Sequence, residues 1–407
     1  MSRRRRISRT SALGTIIGLI AVCALGVIAL ITGNGSGIEI PNISTPASSP
    51  IDQPITQIPP SGETPVVLPS VEPASGAWWE VYFTDRFNIN DPALWQNSVA
   101  GKLVEKINAA QNSIHVVGFE FDLTPVAEAL IAARQRGVDV RWVTDDEHGI
   151  EADEEPDRGQ FAMLRNAGIE VRADTRSALM HNKFIIFDFQ TVWTGSTNLT
   201  NNAIFKQENN VIVVHSPVIA AMYEKEFQEM WDGEFGPRSP SQLAEQLTVV
   251  NGSEVLVIFT PEDGALEQAI IPLVNSAQSE IRFLAFSFTD FPLANAMIQR
   301  AQNGVNVAGV YEKVGSGTDA AEFDTLFCAG IPVRQDGNPS FMHHKVVIVD
   351  RRYVVTGSLN YSTSAEESND ENVIMLDNVE IAAQYLQEFD RVWSQSSDPE
   401  PGSVVCQ

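Results

Sequence analysis

The feature that most constrains the fold of this 407-residue chain is an internal repeat. Residues 107–143 match residues 274–310, and Phe119 is among the residues that recur in the second copy. Each copy reads as an apolar strand, a helix closed by glycine and a second strand, an order that requires parallel pairing through a right-handed crossover. The repeat predicts an α/β protein of two units, residues 77–240 and 250–398. Each is expected to be a mixed sheet flanked by helices, related to the other by a pseudo-twofold axis.

A second pair of matching segments carries polar residues that can take part in catalysis. Residues 180–200 read MHNKFIIFDFQTVWTGSTNLT, and residues 342–362 read MHHKVVIVDRRYVVTGSLNYS. Histidine can act as a nucleophile or as an acid–base near neutral pH, and lysine, serine and asparagine can bind phosphoryl oxygens. A single copy would be more typical of a core histidine. Two facing copies would place a histidine on either side of one phosphorus atom, as in-line displacement through a covalent intermediate requires.

These segments resemble the signature of the phospholipase D superfamily, H-x-K-x4-D followed by G-S-x-N, which is present twice between residues 77 and 398. The resemblance implies a bacterial, membrane-anchored phosphodiesterase that hydrolyses phosphoric diester bonds. The catalytic residues that it implies are His181, Lys183, Asp188, His343, Lys345 and Asp350. The phosphate-binding residues that it implies are Ser196, Asn198, Ser358 and Asn360.

The resemblance also implies a division of labour between the two histidines. His181 would attack phosphorus to give a phosphohistidine, and His343 would protonate the leaving alcohol and then activate water or an alcohol acceptor. The sequence itself is symmetric on this point. In the family a later acidic residue often orients the nucleophilic histidine. Glu208 and Glu371 fit that role, although Glu208 follows its histidine by one residue fewer than Glu371 does.

The signature aspartates fit a structural role better than a catalytic one. Asp188 and Asp350 follow their lysines by five residues, which is roughly 17 Å along a straight strand. At that distance from the lysine they are expected to fix the following turn rather than to touch phosphate.

No cofactor or metal is implied, because the other histidines show no ligand pair with recognisable spacing. One of them, His148, lies in an acidic stretch, residues 145–157, that holds eight carboxylates. Such a stretch is typical of a solvated loop. It also follows a predicted strand at the sheet edge where α/β folds bind ligands, where it would repel polyanions and favour a cationic head group.

The N-terminus predicts a membrane anchor. Residues 12–31 form a charge-free run of 20 residues behind a basic tip, residues 1–11, and such a run spans the roughly 30 Å core of a bilayer. The basic flank predicts a single-pass cell-membrane protein whose catalytic part is extracytoplasmic. A cleaved signal peptide, giving a secreted protein, is the alternative. Residues 32–76 hold nine of the 22 prolines and predict an extended linker.

The C-terminus, residues 399–407, is predicted to be a short tail. It contains Cys406, which could pair with Cys328 in an oxidising compartment. The alternative is that Cys328 is simply a core residue, because it lies in an apolar string.

The charge balance bears on the substrate. The chain has 52 acidic and 27 basic residues and a net charge of -25, which disfavours a nucleic-acid-binding surface without excluding it. The first hypothesis is therefore hydrolysis of a phospholipid to phosphatidic acid and a head-group alcohol. A nuclease and a phosphatidyl transferase of the cardiolipin synthase type are the alternatives, and two intact half-sites argue against a non-catalytic binding module. Because one chain holds both half-sites, a monomer is expected.

Overall fold

The computed structural model describes residues 78–239, 241 and 246–406. The predicted basic tip, membrane anchor and linker, residues 1–76, lie outside the described residues. Within the described ranges, no helix combines the length and the apolar character needed to cross a bilayer. The described chain forms two consecutive α/β repeats, each built on one sheet.

The first repeat contains a seven-stranded sheet. Its strands are β1 (Trp79–Phe83), β2 (Ser113–Gly118), β3 (Asp139–Thr144), β4 (Glu170–Ala173), β5 (Lys183–Phe187), β6 (Thr191–Gly195) and β7 (Asn210–His215). Its helices are α1 (Val99–Ala109), α2 (Thr124–Gln135), α3 (Gln160–Asn166), α4 (Asn201–Phe205) and α5 (Pro217–Trp231). Short 3-10 and π-helical turns lie at Pro92–Asn97, Asp146–Glu151 and Ala152–Glu154.

The second repeat contains an eight-stranded sheet. Its strands are β8 (Leu247–Val250), β9 (Ser253–Thr260), β10 (Glu280–Ala285), β11 (Asn306–Tyr311), β12 (Val333–Gln335), β13 (Lys345–Val349), β14 (Tyr353–Gly357) and β15 (Glu371–Asp377). Its helices are α6 (Ile271–Ser276), which follows a π-helical turn at Leu266–Ile270, α7 (Phe291–Gln302), α8 (Lys313–Ser316), α9 (Phe323–Cys328), α10 (Thr363–Glu367) and α11 (Val379–Gln395).

The two sheets share one strand order. The first runs β1-β7-β6-β5-β2-β3-β4, and the second runs β12-β11-β10-β13-β14-β15-β9-β8, the same order read backwards with β8 added at one edge. The crossover pairs β2–β3 and β10–β11 are parallel, whereas β5 and β13 lie antiparallel to the central strands β2 and β10. The prediction of two repeats, each a mixed sheet with helices, is confirmed.

The repeats share a hydrophobic core that contains one face of each sheet and the long helices α5 and α11. Tyr223 on α5 shows how the core joins the repeats. Its ring contacts Phe184 of the first sheet at 4.9 Å and Phe259 of the second at 5.3 Å. Tyr385 on α11 makes the reciprocal contact, with Phe83 of the first sheet at 5.3 Å. Helices α1 and α2 cover the outer face of the first sheet, and α6 and α7 cover that of the second.

The signature aspartates lie at the ends of β5 and β13, away from the histidines. Asp188 accepts hydrogen bonds from the backbone N–H groups of residues 111–113 at 2.6 to 3.1 Å. Asp350 accepts from residues 278–280 at 2.7 to 3.1 Å. Their placement in the catalytic set is therefore corrected, because each carboxylate is occupied by the loop that leads into a central strand. The two aspartates have a structural role, as expected, but they hold the loop before a central strand rather than the turn that follows them.

The C-terminal tail is tied to the second repeat. Cys328 at the end of α9 and Cys406 form a disulfide, with their Cα atoms 5.4 Å apart. Ser397, just before the tail, pairs with Gln335 of the edge strand β12 through two backbone hydrogen bonds of 2.8 and 2.9 Å. Of the two alternatives for Cys328, the structure shows the disulfide.

The Asp188→Ala and Asp350→Ala variants should each lower the free energy of unfolding by about 1–3 kcal/mol, because each leaves several backbone donors without a partner. Urea denaturation followed by circular dichroism measures this, with Asp319→Ala, an exposed aspartate on a loop, as the control expected to change little. An Asp188 variant of wild-type stability that had lost all turnover would contradict the structural role.

The same two variants should converge with the wild type as the solution is acidified. Although burial opposes ionisation, the backbone N–H groups lower the pKa of both Asp188 and Asp350 below 3.8. A lowered pKa stabilises the fold above the unfolded-state value, and this contribution disappears as the pH falls through the folded-state value. A difference in stability that stayed constant down to pH 2 would contradict this origin.

Candidate active site

The two predicted half-sites meet at the junction of the repeats. Lys183 and Lys345 are the first residues of β5 and β13, and His181 and His343 precede them by two residues, so each pair shares one face. All four side chains belong to residues that are at most 6% exposed. Each lysine Nζ donates to the carbonyl of its own histidine, at 2.8 Å in the first repeat and 3.1 Å in the second.

Backbone hydrogen bonds between the repeats hold both histidines in place. The His181 N–H donates to the carbonyl of Asp370 at 2.9 Å, and the His343 N–H donates to the carbonyl of Glu208 at 2.8 Å. These bonds belong to two equivalent bridges, Met180 with Asp370 and Glu208 with Met342, that cross from one repeat to the other. Each histidine is thus positioned by a strand end of the opposite repeat.

Each half-site also has an aromatic wall. The Phe119 ring lies 4.9 Å from the His181 ring and 5.1 Å from Lys183 Nζ. Phe286 lies 4.7 Å from the His343 ring and 4.6 Å from Lys345 Nζ. The two rings exclude water and add cation–π attraction for the ammonium groups. Sequence reasoning assigned them no role at the site, although the recurrence of Phe119 in the repeat was the available signal.

The predicted orienting carboxylate of Glu371 contacts the histidine of the other repeat. Its Oε2 lies 2.6 Å from His181 Nδ1, and the Glu371 side chain is fully buried. A carboxylate on Nδ1 fixes the ring and leaves Nε2 free to face the site. The resemblance to the family implied an acidic residue at this position, but not the crossing between repeats.

Glu208 does not take the equivalent position, and this prediction is wrong. His343 Nδ1 contacts Asn209 Oδ1 at 2.9 Å and the carbonyl of Ser196 at 3.0 Å. The Glu208 carboxylate binds Arg391 at 3.0 Å instead. Neighbouring residues of an extended chain face opposite sides, so the one-residue slip turns the carboxylate away from the site. Counting from the signature serines identifies Asn209 as the counterpart of Glu371.

The signature serines bond within the protein. Ser196 and Ser358 are both 0% exposed. Ser196 Oγ donates to Asn209 Oδ1 at 2.9 Å, and Ser358 Oγ accepts from the Asn372 N–H at 2.9 Å. The prediction that they bind phosphate directly is corrected, because the hydroxyls are closed off and support the residues that hold the histidines.

The signature asparagines keep unused hydrogen-bonding capacity. The side-chain oxygens of Asn198 and Asn360 are buried and accept no hydrogen bond from the described residues. Asn198 donates from Nδ2 to Glu120 Oε2 at 3.4 Å. Glu120 follows β2, and burial raises its pKa above 4.5. The second repeat has Ser287 at the corresponding position, so this carboxyl group is present in one half-site alone.

Burial and like charge dominate the electrostatics of the site. Burial and the positive charges of Lys183 and Lys345 lower the pKa of both His181 and His343 well below 6.5. Burial lowers the pKa of Lys183 to about 8 and raises that of Glu371 to about 7. Two buried lysines facing two histidines form a site that an anionic group would stabilise.

The acidic stretch at residues 145–157 borders the first half-site. Asp145 accepts a hydrogen bond from the Met180 N–H at 3.1 Å, directly before the catalytic candidate His181. The His148 ring stacks on Phe119 at 4.6 Å. Asp145 is buried, while most of the later carboxylates are exposed, so the stretch is only partly the solvated loop that was expected.

Comparisons with known proteins agree with this geometry. The sequence matches the family described as "Cardiolipin synthase, PLD-like domain" over residues 103–231 and 270–393. It is 35% identical to the human mitochondrial cardiolipin hydrolase over 133 residues, 33% of this chain and 52% of that protein. It is 32% identical to a phospholipase D of Rickettsia felis over 137 residues, 34% of this chain and 68% of that protein. The chain thus spans about half the length of the first of these relatives.

A solved structure extends the likeness across both repeats. The phosphatidylserine synthase of Haemophilus influenzae Rd KW20 superposes with a TM-score of 0.58, covering 78% of this chain and 87% of that one. At 15% identity this likeness concerns the fold alone. Together with the family match over both repeats, these findings place the chain in the phospholipase D superfamily, as a phosphodiesterase with two PLD-like domains.

Proposed function

We propose that this protein hydrolyses a phospholipid to phosphatidic acid and a head-group alcohol, through a phosphohistidine on His181. The observation that carries the proposal is the unequal support of the two histidines. His181 Nδ1 faces the Glu371 carboxylate at 2.6 Å, and His343 Nδ1 faces the uncharged Asn209 oxygen at 2.9 Å. A carboxylate stabilises a positively charged ring far better than an amide does. His181 is therefore suited to attack phosphorus, and His343 is suited to donate a proton.

In the first step His181 Nε2 attacks the phosphorus of the diester. The N–P bond forms as the P–O bond to the head group breaks, and His343 Nε2 gives its proton to the departing oxygen. The Glu371 carboxylate stabilises the charged phosphohistidine ring. Lys183 and Lys345 neutralise the non-bridging oxygens.

In the second step, water attacks phosphorus and the N–P bond that formed in the first step breaks. His343, now neutral, takes a proton from a water molecule, whose oxygen attacks phosphorus on the side that the alcohol left. The N–P bond breaks, phosphatidic acid leaves, and His181 and His343 return to their starting states. An alcohol in place of water would give phosphatidyl transfer by the same route.

The substrate also sets the protonation of His343. Its pKa is low in the empty site, where burial and two lysines oppose the imidazolium. A bound phosphodiester brings negative charge, which raises the pKa of His343 and allows it to carry the proton that it must donate. A histidine with an amide partner remains a strong acid once it is protonated.

A lipid fits the surroundings of the site better than a polynucleotide does. The chain has a net charge of -25 and the acidic stretch borders the first half-site, so a long polyanion would be repelled. On the second repeat, α7 begins six residues after the end of β10, and α8 begins two residues after the end of the adjacent parallel strand β11. Phe291 on α7 and Val314 on α8 are 56% and 50% exposed, an apolar rim suited to acyl chains.

The catalytic part is inferred to lie outside the cytoplasm, held to the membrane by residues 12–31. The disulfide between Cys328 and Cys406 supports this, because structural disulfides persist in oxidising compartments. Both half-sites come from one chain, which supports a monomer as the working unit.

The substrate class is tested by incubating the full-length protein, in EDTA, with phosphatidylcholine or cardiolipin vesicles and separately with plasmid DNA. The wild type should form phosphatidic acid, together with choline from phosphatidylcholine or phosphatidylglycerol from cardiolipin. The His181→Ala and His343→Ala variants should form neither product. Cleavage of DNA without cleavage of either lipid would overturn the phospholipase proposal. Full retention of lipid cleavage in either histidine variant would contradict the two-histidine route.

The division of labour is tested by two substitutions at equivalent positions. Glu371→Gln should lower kcat on the order of 10³-fold, because the developing charge on His181 loses its carboxylate. Asn209→Asp should shift the alkaline limb of the pH profile of kcat to higher pH by about one to three units. The reason is that a carboxylate raises the pKa of His343, which must be protonated to act as the acid.

The control for both is Glu380→Gln, at the exposed start of α11, which should leave kcat and both limbs unchanged. If Glu371→Gln kept wild-type kcat while Asn209→Asp was inactive, the roles of the two histidines would have to be exchanged.

A further inference from the structure

The two half-sites differ in the polar residue that follows each aromatic wall. Glu120 follows Phe119 in the first repeat, and Ser287 follows the equivalent Phe286 in the second. Glu120 is half-buried, and it interacts electrostatically with Lys183. Its carboxyl group therefore belongs to the first half-site, and a small hydroxyl group stands at the same place in the second.

Glu120 determines how the amide group of Asn198 is oriented. Asn198 Nδ2 donates to Glu120 Oε2 at 3.4 Å, so the amide oxygen Oδ1 is the atom left for other partners. That oxygen is buried and accepts no hydrogen bond from the described residues, and the residue is 9% exposed. Asn198 lines one cavity together with Phe119 and Lys183. Asn198 Oδ1 is thus an unused acceptor in the first half-site.

Glu120 itself provides a second unused acceptor. Of its two carboxyl oxygens, only Oε2 accepts a hydrogen bond from the described residues. Two acceptors without donors in a half-buried place are costly, and a ligand that supplies donors stabilises them. The phosphate of a monoanionic diester carries acceptor oxygens alone, so it cannot satisfy these two atoms. The ligand group that fits here bears N–H or O–H bonds.

In a diacyl phospholipid, the head group is the part that can carry N–H or O–H bonds. The acyl esters and the phosphodiester offer acceptors alone. Lys183 interacts electrostatically with both His181 and His343, so the half-sites adjoin and a head group held between them can reach the first. The rim of the second repeat is apolar, with Phe291 and Val314 exposed. The head group is therefore expected over the first half-site and the acyl chains over the second.

We propose that Glu120 and Asn198 form a subsite for the phospholipid head group and select a head group with N–H or O–H donors. The inference rests on the proposed phospholipid hydrolysis and narrows its substrate class. Ethanolamine offers ammonium N–H bonds and glycerol offers hydroxyl groups, whereas the quaternary ammonium of choline has no donor. Glu120 is the specificity-determining residue, because its carboxyl group accepts from the head group and also orients the Asn198 amide.

The test compares three phospholipids with the same acyl chains: phosphatidylethanolamine, phosphatidylglycerol and phosphatidylcholine. Each is presented to the full-length protein in nonionic detergent micelles, and kcat/KM is measured from the release of phosphatidic acid. We expect kcat/KM for the first two lipids to exceed that for phosphatidylcholine on the order of tenfold, because choline leaves the two acceptors unpaired. A preference for one of the first two alone also supports the subsite and identifies the donor as ammonium or hydroxyl.

Two substitutions test the residue itself. In Glu120→Gln the side-chain oxygen still accepts from Asn198, so an NH2 donor replaces the acceptor that faces the head group. The preference over phosphatidylcholine should fall about tenfold. Glu120→Ser, which has the side chain of the second repeat at this place, should have the same effect and serves if Glu120→Gln fails to fold. The matched control is Glu128→Gln, at an exposed position on α2, which should keep the wild-type preference.

The outcomes separate this inference from the proposed function. Hydrolysis of phosphatidylcholine by the wild type with a kcat/KM equal to or above those of the other two lipids would overturn the subsite alone. An unchanged preference in the folded Glu120 variants would do so as well. Hydrolysis of none of the three lipids would overturn the proposed function and, with it, the subsite.

Discussion

The active site depends on an exchange of backbone hydrogen bonds between the repeats. The His181 N–H is held by the carbonyl of Asp370, and the His343 N–H by that of Glu208. Neither repeat therefore positions its own histidine alone. The aromatic contacts of Tyr223 and Tyr385 across the shared core hold the sheets at the separation that these bonds need. Fold and site are coupled, and a change that loosens the interface displaces both histidines at once.

The same interface creates an electrostatic problem that the substrate resolves. Lys183 and Lys345 are buried beside histidines whose own pKa values burial and these lysines depress. Without substrate, the buried positive charges of the two lysines have too little negative charge near them. A phosphodiester brings negative charge, so its binding and the protonation of a histidine in the site favour each other. The two half-sites differ in the residue that contacts Nδ1 of each histidine. Glu371 contacts His181 and Asn209 contacts His343, so the two histidines have different chemistry.

Much of this arrangement could be predicted from the sequence because two copies of the same pattern can be compared with each other. The strand–helix–strand order and the His–Lys pairs at the start of β5 and β13 follow from spacing and residue chemistry. The acidic residue at position 371 follows from the resemblance to the family. The prediction of Glu208 was wrong because it was based on finding a carboxylate near the expected position. The number of residues from the signature serine leads to Asn209 instead. The burial of Ser196 and Ser358 and the crossing of Glu371 to the opposite repeat depend on how the repeats dock. Spacing within one repeat carries no information on that docking.

Trapping of the covalent intermediate tests the central claim most directly. The His343→Ala protein would be mixed with a phosphodiester that has an activated leaving group and a labelled phosphate, quenched at alkaline pH and digested for mass spectrometry. Without the histidine that activates water, the phosphohistidine should accumulate, with the label on the peptide that contains His181. A label on another residue, or no covalent label while the product is still formed, would contradict the account.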